Sequence, residues 1–188
     1  GLRLLTGAEA EALEPMLKPG VAAALYAPPT GTVNPWQLGI AAYENALQNG
    51  AEAMLKTAVL AIRQTEDGYL LETHRGPIFA KTVFNCAGLS ADKVQELIFD
   101  PSVQLDLDGA EYLVFDELAP KPERIIFHQA DRCGKGITAI PCTEGNLLIS
   151  GVRKPLGIPF ATTVEGLQEL HDAAKNLLPD VQLSQVIR

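Results

Sequence analysis

Apolar residues recur along the chain with helical and strand periods, which predict helices and strands in mixed order. The helical period is clearest over Pro35–Gln48, where Trp36, Ile40, Tyr43 and Leu47 form one apolar stripe. A stripe of this kind usually packs inward, so we expect this face of the helix to lie in the core.

Capping residues support three of the predicted helices. Asn34 is a suitable N-cap for the helix at 35–48, and Gly50 suits its end. Thr6 with Glu9 forms the pattern of a capping box, and so do residues 162–165 ahead of another apolar stripe. These signals place helices near both ends of the chain and one in its first third.

Eight segments have the composition and flanking turn residues of strands. They are 22–26, 53–63, 69–74, 78–86, 105–115, 124–128, 136–140 and 146–151. Several of them follow each other without an intervening helix. We therefore expect an α/β (α+β) fold, with a mixed, largely antiparallel sheet and helices packed on it.

Composition narrows the class of protein. The chain has 188 residues and a formal net charge of −8, which argues against a nucleic-acid partner or an anionic membrane surface. No apolar run approaches the ~18 residues of a membrane span. The three cysteines cannot form a closed set of disulfides, which favours a cytoplasmic location. The chain starts without Met and stops within a predicted strand, as an excised piece of a longer protein would.

The residue chemistry alone identifies no catalytic mechanism. GxGxxG, P-loop, HExxH and GxSxG motifs are absent from the sequence. The three histidines lack zinc-type spacing, so no metal site is expected, whereas a Cys–His nucleophile pair stays open because such pairs meet only in space. Asp106 and Asp108 alternate with leucines, which predicts a solvent-facing strand surface rather than an acid–base pair.

One segment has a geometry that suits ligand approach. Residues 83–88 run from an apolar strand into small residues, and Ser90 then caps a predicted helix. A strand, a small-residue turn and a helix start allow backbone groups to come close to a ligand.

Four stretches, taken in order, resemble a known family. They are GTVNPWQL (31–38) with AYENA (42–46) and NG (49–50); VFNCAGLSAD (83–92); EYLVFD (111–116); and GKG (134–136) with Pro141 and GNLLISG (145–151). The set resembles the FAD-dependent oxidoreductases of the D-amino-acid oxidase and glycerol-3-phosphate dehydrogenase superfamily. Within it, the chain looks most like bacterial glycerol-3-phosphate dehydrogenase-like proteins, which are also similar to 2-hydroxyglutarate dehydrogenases.

The resemblance implies that the chain is the middle of a two-part flavoenzyme. Residues of about 1–50 and 100–188 would form the substrate-binding domain, and about 51–99 part of the FAD-binding domain. The family's amino-terminal GxGxxG strand is absent from this sequence. The resemblance places the cofactor against Ala58 and Val59, in a strand that meets the adenine, and against Ala87 and Gly88, in a turn close to FAD.

The same resemblance implies a substrate between the inserted sheet and the flavin ring, with a cation on its acid group. Here the chain departs from the family. Gly109 and Ala110 stand where the branch usually has Arg-Gly before its Glu-Tyr pair, and Gly151 is followed by Val-Arg instead of a small residue and Pro. Lys135 and Arg153 are the cations predicted to substitute.

The resemblance thus predicts part of an FAD-dependent dehydrogenase acting on a small hydroxy acid or polyol phosphate, inactive as an isolated chain. The missing family arginine and GxGxxG motif leave two alternatives open. One is a small-molecule-binding module that has lost the flavin; the other is a piece that mediates oligomerisation of its parent. A reading frame that continues beyond Gly1 and Arg188 would favour the flavoenzyme.

Overall fold

The secondary structure follows from a computed structural model that describes residues 1–116, 121–129, 136–155 and 162–187. Its four α-helices are α1 (Gly7–Leu13), α2 (Pro35–Gln48), α3 (Ala91–Glu96) and α4 (Val164–Leu177). Its nine strands are β1 (Arg3–Thr6), β2 (Ala23–Tyr26), β3 (Val59–Thr65), β4 (Gly68–Thr73), β5 (Gly76–Ala80), β6 (Asp108–Phe115), β7 (Ile126–Phe127), β8 (Thr138–Pro141) and β9 (Leu147–Pro155).

The described strands form three antiparallel sheets. β1 pairs with β2, β3–β4–β5 form a meander, and the largest sheet has the order β6-β9-β8-β7. Short turns join β3 to β4, β4 to β5 and β8 to β9, and a tight hairpin of this kind makes neighbouring strands antiparallel. The predicted α/β (α+β) fold is confirmed.

The chain divides into two compact units. One comprises residues 1–41 and 108–188, and the other comprises residues 42–107. The first contains the four-stranded sheet with α4, and the second contains the meander with α3. The assignment of about 1–50 and 100–188 to substrate binding, and of 51–99 to FAD binding, stays a prediction.

The hydrophobic core of the first unit lies between the four-stranded sheet and α4. One face of the sheet contributes side chains that are almost fully buried, and α4 contributes the apolar stripe that its sequence predicts. The cluster consists of Met16, Leu113, Phe115, Ala139, Leu147, Ile149, Leu170, Ala174, Leu177, Leu178 and Val181. Among the described residues, this core lies on one face of the sheet.

The prediction that the apolar stripe of α2 lies in the core is wrong for the described chain. No residue of α2 is buried, and Trp36 is 77% exposed. The helix itself begins and ends where the sequence predicts, because the Asn34 Oδ1 atom accepts the Trp36 and Gln37 backbone N–H groups at 3.0 and 3.1 Å. The stripe is exposed because no element of the described residues covers it.

Two predicted strands are shorter than their apolar patterns indicate. Of the segment 53–63, only the part from Val59 is extended, because Lys56 takes a positive φ of 53° that interrupts the strand. Of the segment 78–86, the strand ends at Ala80, because residues 83–86 find no strand partner in the described structure. Asp106 also lies outside a strand, although Asp106 and Asp108 are both exposed to solvent as predicted.

The capping predictions have mixed outcomes. The capping box of α1 is confirmed, with the Thr6 N–H donating to Glu9 Oε2 at 2.8 Å. The cap of α4 is Thr163 instead of Thr162, and its hydroxyl accepts the Gly166 N–H at 3.0 Å. Ser90 precedes α3 but makes no side-chain capping bond, because its backbone already forms a 3₁₀ turn.

Candidate functional site

The small-residue turn after β5 is exposed along its whole length. Residues 84–90 are all exposed, and Phe84 at the start of the turn is 86% exposed. The segment continues into a 3₁₀ turn at Gly88–Ser90 and then into α3. The chain therefore presents both backbone and an aromatic ring at this turn.

Asn85 holds the turn in shape through two hydrogen bonds. Its Oδ1 accepts the Ala87 N–H at 3.2 Å, and its Nδ2 donates to the Ala91 carbonyl at 2.7 Å. One side chain therefore joins the start of the turn to the first residue of α3. The sequence analysis gave Asn85 no role, although an Asn two residues before a turn is a known signal for such a bond.

An apolar cleft of about 440 Å³ lies beside the same turn. Its lining comes from the meander, the turn and the α3 region. The residues are Ile62, Tyr69, Val83, Asn85, Val94, Gln95, Ile98 and Phe99. Asn85 is thus placed where it stabilises the turn against an apolar wall.

The fit of FAD to the turn can be tested at Gly88. Its φ is +57°, a conformation that favours glycine, and a Cβ built there would meet no atom within 4 Å. Ala87 before it is also exposed. Open space next to two residues without bulky side chains fits a cofactor that approaches the backbone, as predicted for Ala87 and Gly88.

The other two predicted cofactor residues, Ala58 and Val59, lie at the start of the meander. Ala58 is exposed and its carbonyl accepts the His74 N–H at 3.4 Å, whereas Val59 is half-buried and pairs with Thr73. In the described meander β3 is an edge strand, which leaves backbone groups on its outer side for a ligand. These residues also fit contact through the backbone.

Of the two cationic residues predicted to bind the substrate, the structure describes only one. Lys135 lies outside the described residues. Arg153 belongs to β9, where its backbone pairs with Ala110 of β6. The structure therefore places Arg153 on the four-stranded sheet of the first unit, whereas the four predicted cofactor residues belong to the second.

A polar anchor fixes the start of α2 in the first unit. Asn34 Nδ2 donates to Glu144 Oε1 at 2.6 Å, and the Thr143 hydroxyl donates to Glu144 Oε2 at 2.7 Å. The Asn34 and Thr143 hydrogen bonds hold the pKa of the Glu144 carboxyl below its usual value. Glu144 is therefore an ionised acceptor that ties the turn between β8 and β9 to the cap of α2.

Titratable groups in the described ranges do not cluster as a metal site would. Those residues contain no group of three His, Cys, Asp or Glu side chains that could hold a metal. Burial is the main factor that raises the pKa of the Cys142 thiol, which opposes thiolate formation.

Comparison with known proteins identifies the family. The family model described as FAD dependent oxidoreductase matches residues 1–188. The chain belongs to this family of FAD-dependent oxidoreductases. The predicted superfamily, its FAD cofactor and its enzymatic character are thereby confirmed for the family.

Individual relatives agree with this assignment. The chain is 30% identical over 178 residues to a glycerol 3-phosphate dehydrogenase of Caloramator mitchellensis, covering 93% of this chain. Its fold matches glycine oxidase from Geobacillus kaustophilus with a TM-score of 0.82 at 25% identity, over 99% of this chain. It also matches L-α-glycerophosphate oxidase from Mycoplasma pneumoniae, solved with FAD bound, with a TM-score of 0.85 at 22% identity, over 100% of this chain.

The chain spans only part of these family members. It covers 37% of the Caloramator dehydrogenase, 48% of the glycine oxidase and 51% of the glycerophosphate oxidase. No helix in the described part of the chain combines the length and the apolar character needed to cross a membrane.

Proposed function

We propose that the chain is part of an FAD-dependent dehydrogenase that oxidises a small hydroxy acid or polyol phosphate. The observation that carries the proposal is the 30% identity to a glycerol 3-phosphate dehydrogenase over 93% of this chain. The parent protein acts in the cytoplasm, as the odd number of cysteines in this chain favours.

The residues of this chain have distinct roles in the proposal. The exposed backbone at Ala58, Val59, Ala87 and Gly88 contacts FAD, and Asn85 keeps the turn in the conformation that allows it. Lys135 and Arg153 bind the acid group of the substrate, because a cation is the natural partner of a carboxylate or phosphate. A bound FAD would supply the hydride acceptor for oxidation of the substrate's carbinol carbon to a carbonyl, with the hydroxyl proton released to water.

The visible absorption spectrum of the native gene product tests this function. We expect a flavin spectrum that bleaches when glycerol 3-phosphate or a 2-hydroxy acid is added without another electron acceptor. The isolated 188-residue chain, mixed with FAD, is expected to show no turnover, because the family's GxGxxG segment is not part of it.

Two results would contradict the proposal. A native product that is colourless, and stays so when FAD is supplied during purification, would remove the dehydrogenase assignment and favour a binding module. An isolated chain that oxidises substrate at the rate of the whole protein would show that the remaining FAD-binding parts are dispensable.

Substitution of Asn85 tests the proposed cofactor turn. In the native protein, Asn85→Ala removes both hydrogen bonds that join the turn to α3. We expect FAD affinity to fall by about 5- to 150-fold, because two lost bonds at ~0.5–1.5 kcal/mol each remove ~1–3 kcal/mol of the stability of the turn. The measurement is the dissociation constant of FAD from the apoprotein, followed by flavin fluorescence.

Asn85→Asp and Asn49→Ala provide the controls. Aspartate keeps the acceptor for the Ala87 N–H but loses the donor to the Ala91 carbonyl, so its effect should be intermediate. The Asn49 side chain also donates to a backbone carbonyl, that of Asn45 in the same helix, but it lies at the exposed end of α2. Asn49→Ala is therefore the control for loss of an asparagine–backbone bond away from the turn. Equal FAD affinity in Asn85→Ala and wild type would exclude a role of this turn in cofactor binding.

A further inference from the structure

The two faces of the four-stranded sheet have opposite character. In register, Leu113, Ile149, Ala139 and Ile126 lie opposite one another across the four strands. The first three are almost fully buried and Ile126 is partly buried against the same core. Because successive side chains along a strand point to opposite faces, the neighbouring row must lie on the face away from this core.

That neighbouring row has an unusual composition. It consists of Tyr112 on β6, Ser150 on β9, Thr138 on β8 and Phe127 on β7, each paired in register with the next. Two hydroxyl side chains thus lie side by side at the centre of the sheet. An aromatic ring lies at each end, with Tyr112 44% and Phe127 71% exposed.

The two hydroxyl groups are placed to bind a ligand. Ser150 and Thr138 are half-buried, and within the described structure neither hydroxyl takes part in a hydrogen bond. A hydroxyl group on the surface of a sheet can exchange its hydrogen bonds to water for bonds to a ligand, and each of the two can both donate and accept. Directly opposed residues have Cβ atoms about 5 Å apart, which suits oxygen atoms on adjacent carbons of one ligand.

The dimensions and polarity of the row favour a small ligand. The two aromatic residues are three strand spacings apart, about 14 Å, and bound the hydroxyl pair on either side. The next row on the same face, Val114, Leu148 and Ile140, is half-buried and apolar. The row on this side of the hydroxyl pair is therefore uncharged, which suits hydroxyl groups of a ligand better than its acid group.

We infer that Ser150 and Thr138 bind two adjacent hydroxyl groups of the substrate and so select a polyol phosphate over a simple hydroxy acid. This inference rests on the proposed function and narrows its substrate class. A polyol phosphate has two neighbouring hydroxyls beside its phosphate, whereas a simple hydroxy acid has one beside its carboxylate. Lys135 and Arg153 keep the proposed role of holding the phosphate.

The test compares two substrates in the native holoenzyme. Glycerol 3-phosphate has both hydroxyls, and 2-hydroxypropyl phosphate lacks the terminal one but keeps the oxidisable one. For Ser150→Ala and Thr138→Val we expect KM for glycerol 3-phosphate to rise by about 3- to 10-fold, one hydrogen bond each. In at least one of the two variants, KM for 2-hydroxypropyl phosphate should change much less. The residue replaced in that variant binds the terminal hydroxyl, which this substrate lacks.

Two further variants separate binding from folding. Thr138→Ser keeps a hydroxyl at the same register position and should restore most of the affinity that Thr138→Val loses. Thr65→Val replaces an exposed hydroxyl at the end of β3, which belongs to the other unit, and should leave KM unchanged. Flavin content, measured for every variant, reports whether the protein has folded with its cofactor.

The outcomes distinguish this inference from the proposed function. An active wild-type enzyme whose KM values are insensitive to Ser150→Ala and Thr138→Val, or shift equally for both substrates in both variants, overturns the inference alone. A flavin-containing wild type that oxidises only simple hydroxy acids also overturns it, while the dehydrogenase assignment stands. A native protein without flavin overturns both.

Discussion

Replacing Phe115 by alanine is expected to lower the free energy of unfolding of the sheet region by about 3–5 kcal/mol. The Phe115 side chain is fully buried, at 0% exposure, and belongs to the core between β6 and α4. Truncation removes the buried ring and leaves a cavity that the neighbouring strands cannot fill, because β6 is held in register by β9. Hydrogen exchange of the β6 and β9 amides in the native protein measures the loss locally.

Phe127→Ala is the matched control for this prediction. Phe127 lies in the same sheet but is 71% exposed and on the opposite face from the core. We expect it to change the exchange of the β6 and β9 amides by less than about 1 kcal/mol. Similar losses from both substitutions would contradict the assignment of the core to the α4 face.

Gly151→Ala is expected to destabilise the same sheet by about 1–3 kcal/mol, through overpacking. A Cβ on Gly151 would lie 2.8 Å from the Gly136 carbonyl oxygen and 2.9 Å from Ile137 Cα. Both contacts are to backbone atoms of residues 136–137, just before β8, so this segment and β9 must move apart to admit a methyl group. The thermal unfolding midpoint of the native protein, together with exchange of the β8 amides, reports this change.

Gly151 also lies where the pairing of β6 and β9 shifts register. Tyr112 pairs with Ser150 and Glu111 with Val152, so Gly151 has no direct partner on β6. Gly31→Ala is a suitable control, because a Cβ at Gly31 meets no atom within 4 Å. Should Gly151→Ala prove as stable as Gly31→Ala, the close approach of residues 136–137 to β9 at this position would be disproved.

Local patterns in the sequence predicted much of the secondary structure. The helix at Pro35–Gln48 has the predicted limits, because its N-cap and its closing glycine act within a few residues. The capping box at Thr6 and Glu9 is confirmed for the same reason. The ordered motifs, each weak alone, identified the family of FAD-dependent oxidoreductases across the chain.

The candidate site was predicted only in part. Ala87 and Gly88 stood out because small residues after an apolar strand are a local signal, and the structure finds their backbone open. Asn85 was missed, although its bond to Ala87 is equally local, because its second bond to Ala91 depends on how the chain enters α3. Arg153 was proposed from family position alone.

The sequence by itself determined the helix limits, the antiparallel character and the family, since these depend on residues near one another or on an ordered set of motifs. Tertiary structure alone decided that the α2 stripe is exposed, that Gly151 lies against the backbone just before β8, and that Ser150 and Thr138 are neighbours. Each of these depends on the register or packing of distant segments. A shift of one residue between β8 and β9 would move one hydroxyl to the opposite face, and no local pattern specifies that register.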